Sequence, residues 1–239
     1  MTVSGKKTGS RTRGRRSSAS ISPMKCWPAV LLLGPTGSGK TPLGALLEMR
    51  GLAGRRCHHF DFGAQLRQIN AEPEKDSGLT TRELSVIRRS LQTGTLLRKR
   101  DFSIARKILM AFLRARKPGP RDLLILNGLP RHLGQAQALE AVLRVRWVVH
   151  LVCTPDTVQR RIQFNIGGDR AGRGDDSLPE ITRKLGIFQR QTLPLLDYYV
   201  KRGVKTTRLL VGVNTQPRDL WRQLQPIARR WLKKPDSPA

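Results

Sequence analysis

The sequence predicts a three-layer α/β fold in which a five-stranded parallel sheet carries helices on both faces. Three observations support this. Short apolar runs alternate with helical stretches from residue 24 onward. The runs are nearly continuous in apolar residues, as strands covered on both faces are. The stretches between them are long enough for crossover helices. Strands are expected at 29–33, 57–61, 123–127, 147–152 and 207–211. Helices are expected at 40–50, 64–70, 81–92, 102–116, 133–143, 156–165, 178–189 and 193–202. In 102–116 the residues Ile104, Ile108, Leu109, Phe112 and Leu113 fall on one helical face. The C-terminal segment sets Trp221, Leu224, Ala228 and Trp231 on one face and Arg222, Arg229, Arg230 and Lys233 elsewhere, with Pro226 expected to kink or restart it.

Composition narrows the class. The 239 residues suffice for one domain, or at most two, with a sizeable core. Hydrophobic residues at 38% and charged residues at 26% are a globular balance. No apolar run approaches the ~18–20 residues of a membrane-spanning helix, so no membrane partner is expected. Cys26, Cys57 and Cys153 cannot all pair and none lies in a CxxC, which argues against a disulfide framework or a cysteine-ligated zinc site and for a reducing compartment, the cytoplasm. Lys+Arg 45 against Asp+Glu 17 gives +28, a field that attracts polyanions. Residues 1–23 hold six basic residues, six serines and no acid, and the first carboxylate is Glu48. That composition reads as a disordered basic arm: a nucleic-acid-binding tail, an organelle transit segment, or an extension ahead of a start at Met24. Without those six charges the body, residues 24–239, still stands at +22, so non-specific nucleic acid is a candidate partner; a monomer is expected.

Between the first strand and the first helix lies Gly34-Pro35-Thr36-Gly37-Ser38-Gly39-Lys40-Thr41, which fits G-x-x-x-x-G-K-[ST] at every fixed position. Such a loop turns backbone N–H groups toward phosphates, and the helix start adds a positive dipole end. Lys40 is placed to reach the β- and γ-phosphates of a nucleoside triphosphate, and the Thr41 hydroxyl is a ligand candidate for Mg²⁺.

The segment Leu126-Asn127-Gly128-Leu129-Pro130-Arg131, followed by Gln135-Ala136-Gln137-Ala138-Leu139, resembles the nucleoside monophosphate kinases, adenylate kinase above all. Further segments follow in that family's order: Asp61-Phe62-Gly63-Ala64-Gln65-Leu66-Arg67, Gly94-Thr95-Leu96-Leu97, Thr154-Pro155-Asp156 through Arg160-Arg161-Ile162, Arg173-Gly174-Asp175-Asp176, and Thr192-x-Pro194 with Asp197-Tyr198-Tyr199. The likeness spans roughly residues 29–203. It implies a phosphate-loop kinase with an acceptor-binding helical region at about 59–94 and a short lid at about 165–175, without a zinc-bearing insertion. It also implies that Arg67 and Arg131 grip the acceptor phosphate beside Phe62, Gly63, Leu97 and Gly128, and that Gln135 reads the adenine edge. Arg161 and Arg173 would close over the triphosphate, with Lys184 assisting transfer. Guanidinium groups suit such work because they stay charged and form bidentate pairs with phosphate.

The chain departs from the family at four of these positions. Asn127 stands where the family has the aspartate that organises the water shell of Mg²⁺; Asp61, where the family usually has serine, is the candidate replacement. Phe62 replaces an acceptor-site threonine. Lys184 stands for a lid-helix arginine, with Arg183 one position away, and Asn165 for another, with Arg170 nearby. The leading expectation is MgATP + AMP giving two ADP. The alternatives are a catalytically weakened nucleotide-binding scaffold associated with RNA or a ribonucleoprotein, and a phosphate-loop kinase of a small hydroxyl acceptor. His58 and His59 are expected to be packed rather than metal ligands, Asp175 and Asp176 to pair with lid arginines, and Trp147, Trp221 and Trp231 to sit in the core.

Overall fold

In the computed structural model, which describes residues 1–2, 26–73, 78–169 and 177–232, the first apolar run of the chain lies at the centre of the sheet. The strands are β1 (Trp27–Leu33), β2 (Cys57–Asp61), β3 (Leu123–Asn127), β4 (Leu143–Val152) and β5 (Lys205–Leu210). They run in the order β2-β3-β1-β4-β5, every pair parallel. The helices are α1 (Lys40–Arg50), α2 (Phe62–Ala71), α3 (Thr81–Thr93), α4 (Phe102–Arg116), α5 (Leu133–Leu139), α6 (Pro155–Gln163), α7 (Leu178–Ile187), α8 (Leu195–Lys201) and α9 (Pro217–Leu232).

The two-residue period of the strands divides the core. Ala29, Leu31 and Leu33 of β1 join Leu124, Leu126 and the apolar sides of α2, α3, α4, α5 and α8. Val30 and Leu32 face the other way, into Ile125, Trp147 and Val149, and are covered by Leu43 and Leu47 of α1 and Leu220 and Leu224 of α9. A small third cluster, Val158, Ile162 and Ile181, ties α6 to α7. No helix among the described residues is long and apolar enough to cross a membrane.

All five expected strands are present, and the corrections lie at element ends. Expected at 133–143, α5 stops at Leu139, because Leu143 already pairs with Trp27 and opens β4 four residues ahead of the expected 147. Helix α2 starts two residues early, where the Asp61 side chain caps it. Expected as one helix to 189, α7 gives way at Phe188 to a π-turn, Phe188–Thr192; α8 begins only after Pro194, which has no N–H to continue the ladder. Helix α9 runs unbroken past Pro226 instead of restarting there. The proline faces solvent, and the helix is pinned beside it by Trp221 Nε1 donating to the Gly51 carbonyl (3.0 Å) and Gln225 Oε1 accepting from the Ala53 N–H (3.0 Å). Trp231 is not a core residue: it is 36% exposed beneath Lys205 Nζ at 4.7 Å. Trp147 is buried and Trp221 partly so. The basic arm from residue 3 on, Arg170, Arg173, Asp175, Asp176, Lys233 and most of the expected lid lie outside the described residues.

Candidate active site

The loop after β1 closes over its own lysine. Lys40 Nζ donates to the carbonyls of Gly34 (2.8 Å) and Pro35 (2.6 Å) and lies 3.4 Å from Ser38 Oγ. Gly37 and Gly39 hold φ of 72° and 89°, a region closed to most side chains, and a Cβ on Gly37 would stand 2.9 Å from Ile162 Cγ1. Gly39 caps α1 without a side chain, leaving the first N–H groups of the helix for an anion.

Beside the loop, the register of β2 on β3 sets Asp61 opposite Asn127, and both meet the first turn of α1. Thr41 Oγ1 donates to Asp61 Oδ2 at 2.6 Å; Asn127 Nδ2 donates to the same oxygen at 2.8 Å and to Thr41 Oγ1 at 3.0 Å. The other carboxylate oxygen, Oδ1, accepts from the Ala64 N–H at 2.9 Å. A hydroxyl, a carboxylate and an amide oxygen are the hard donor set that suits Mg²⁺ or its water shell, and the charge of the set comes from β2.

These residues open on a cleft of about 230 Å³. Thr36, Gly37, Gly39, Lys40 and Thr41 line it from the loop. Phe62, Gly63, Arg67, Leu97, Gly128 and Arg131 line the opposite side, with Gln135 behind them. Lys184 enters from α7, and Asp169, which sequence reasoning missed, from the chain just beyond α6. Phe62 is largely buried and stacked with Phe60 at 6.0 Å, so its ring belongs to the core as well as to the wall of the cleft. Arg131 is pinned at both ends of its backbone: its N–H donates to Gln135 Oε1 (2.8 Å) and its carbonyl accepts from Thr192 Oγ1 (2.8 Å). Burial pulls its pKa below the ordinary value, yet an arginine remains charged.

Gln135 is 2% exposed, and its Nε2 donates to the Leu97 carbonyl at 2.9 Å, so it braces Arg131 and the turn at 94–97. His132, a residue the sequence did not single out, meets the same carbonyl at 2.9 Å; its place next to Arg131 was the available signal. Arg161 departs from expectation. It is 3% exposed and its guanidinium donates to the carbonyls of Gly37, Gly212, Val213 and Thr215, tying the phosphate loop to the turn before α9 instead of lining the cleft. Three of these carbonyls lie about fifty residues onward and the fourth, in the phosphate loop, lies 124 residues back, so no local side-chain signal marks the contact.

The histidines and cysteines among the described residues do not line the cleft. Buried His58 pairs with Asp122 at 2.8 Å, and the described residues hold no cluster of three or more potential metal ligands among His, Cys, Asp and Glu. All three cysteines are free, and burial pushes the Cys153 thiol up to about 11, which keeps it protonated and unreactive.

No protein-family model matches the chain. Among named proteins, it is 30% identical over 180 residues to the adenylate kinase of Stenotrophomonas maltophilia (strain R551-3), a match covering 73% of this chain and 86% of that one. It is 29% identical over 194 residues to the adenylate kinase of Synechococcus sp. (strain WH7803), covering 78% and 90%. UMP-CMP kinase 1 of Oryza sativa subsp. japonica is 26% identical over 177 residues, covering 73% of this chain and 64% of the rice protein.

Proposed function

The chain belongs to the adenylate kinase family of nucleoside monophosphate kinases and is a phosphotransferase, and we propose that it transfers the γ-phosphate of MgATP to AMP, giving two ADP. One observation carries the reading: a single cleft is lined by Lys40 and Thr41 of the phosphate loop on one side and by Arg67 and Arg131 on the other. Two phosphate-gripping sets face one another, as transfer between two nucleotides requires and hydrolysis does not.

In this reading the loop N–H groups and Lys40 hold the donor phosphates, and Arg131, pinned through Gln135 and Thr192, presents a fixed fork to the acceptor phosphate. Arg67 reaches the same region from α2, and Lys184 adds a point charge from α7. Mg²⁺ would be held by Thr41 and, through water, by Asp61 and Asn127, where it neutralises charge on the phosphate oxygens. Asp61 supplies the negative charge that Asn127 lacks. Closure of the cleft excludes water from the transferring group. AMP as acceptor is supported by the adenylate kinases among the relatives, and the rice UMP-CMP kinase makes a pyrimidine nucleotide the second candidate. The three free thiols suit a reducing compartment such as the cytoplasm.

The test is transfer from ATP and Mg²⁺ to AMP, CMP, UMP, GMP and dTMP separately. AMP is expected to give diphosphate well above the others, and Lys40→Met to lower kcat by roughly 10²–10³-fold with an unchanged melting curve. A dominant pyrimidine diphosphate would reassign the acceptor. No diphosphate from any acceptor would sink the proposal.

A further inference from the structure

We propose that Asp61 couples the two sides of the cleft, so that metal-nucleotide bound at Thr41 tightens acceptor binding through the first turn of α2; this rests on the kinase reading above. The carboxylate is shared between the two sides. Its Oδ2 takes the Thr41 hydroxyl at 2.6 Å and the Asn127 amide at 2.8 Å, on the donor side. Its Oδ1 takes the Ala64 N–H at 2.9 Å and caps α2, the helix that brings Gly63 and Arg67 to the acceptor side. The two oxygens belong to one rigid plane, so whatever fixes the aim of Oδ2 fixes the cap. Gly63 leaves no side chain in between: a Cβ there would stand 3.4 Å from both Asp61 Oδ1 and Arg67 Nη1. With the acid at the end of β2, donor-side charge and acceptor-side helix meet at one group. Among the described residues the Asn127 amide donates to Thr41 and to Asp61 Oδ2, both toward the donor side.

Coupling of this kind is reciprocal and is typically worth a 5–150-fold change in affinity. The test is calorimetric titration of the full chain with AMP, alone, with a non-hydrolysable ATP analogue in EDTA, and with the analogue plus Mg²⁺. Mg²⁺ is expected to tighten AMP about fivefold or more in the presence of the analogue. Asp61→Asn keeps an N-cap oxygen but loses the charge. In that variant the Mg²⁺-dependent tightening of AMP is expected to disappear. Ala64→Pro, tolerated in a first helical turn, removes the N–H that Asp61 Oδ1 accepts and also restricts Gly63 before it. It should abolish the tightening while Mg²⁺ still strengthens analogue binding. A parent chain without Mg²⁺-dependent tightening, or either variant retaining it in full, would overturn the coupling and leave the kinase reading intact. AMP that fails to bind under every condition would instead remove the acceptor assignment, and the coupling with it.

Discussion

Among the described residues, His59 Nε2 and His150 Nδ1 are both out of solvent and without a hydrogen-bond partner. Burial lowers the pKa of each below the ordinary 6.5, for His150 with help from Arg208. The folded chain thus refuses a proton that the unfolded chain accepts below about pH 6.5, so stability is full above that value and falls as the pH drops. Each histidine contributes a slope of at most ~1.4 kcal/mol per pH unit. A falling Tm between pH 7 and 5 is expected, and His59→Leu should flatten part of it; an unchanged slope in that variant would disprove the role. His59 also accounts for a glycine inside α1, since a Cβ on Gly44 would stand 2.2 Å from its Nε2. At this scale motif spacing singled out Lys40 and Thr41, the family resemblance singled out Asp61 and Arg131, and all four line the cleft. It did not reveal Arg161 as a brace, since four carbonyls leave no mark in a sequence.

Helix α3 ends at Gly94 with no basic residue of its own in the last turn. Arg183 of α7 supplies the missing cation, donating to the Thr93 carbonyl beside Gly94. The next residue, Lys184, lines the cleft, so this contact holds α3 against the helix that carries it. Arg183→Leu should cost ~1 kcal/mol, or about 2–4 °C in Tm. It should also raise the acceptor KM several-fold while kcat changes little; a change confined to kcat would contradict the bracing role. Element existence was readable from apolar period, and α1 and α4 fall where expected to the residue. The ends of α5 and α7 were not. One is decided by pairing with a strand more than a hundred residues earlier and the other by a π-turn, and apolar spacing encodes neither.

Over the whole molecule the acids are few, and among the described residues most are engaged. Glu83 pairs with Lys107 at 2.7 Å, Glu140 with Arg202 at 2.9 Å and Glu48 with Arg116 at 3.5 Å, while 45 basic residues face 17 acidic ones. The unpaired excess repels itself across the surface, and salt screens that repulsion within ~10 Å at 0.1 M. The Tm is therefore expected to rise by several degrees between 20 and 300 mM NaCl, measured by calorimetry. A Tm that falls with salt would mean that the surface pairs outweigh the repulsion. Charge was fully legible in the sequence; its distribution over faces was not, because that depends on which helices cover which side of the sheet.

The strand order has a consequence for biosynthesis. The phosphate loop is encoded at residues 34–41, but β1, which carries it, pairs only with β3 and β4, ending at Asn127 and Val152. A chain emerging from the ribosome holds the loop sequence long before it holds the walls that shape the loop. Nascent chains halted before residue 123 lack both neighbours of β1. Nucleotide capture thus becomes an event of late translation, and the first third of the polypeptide waits unpaired for strands still to be made.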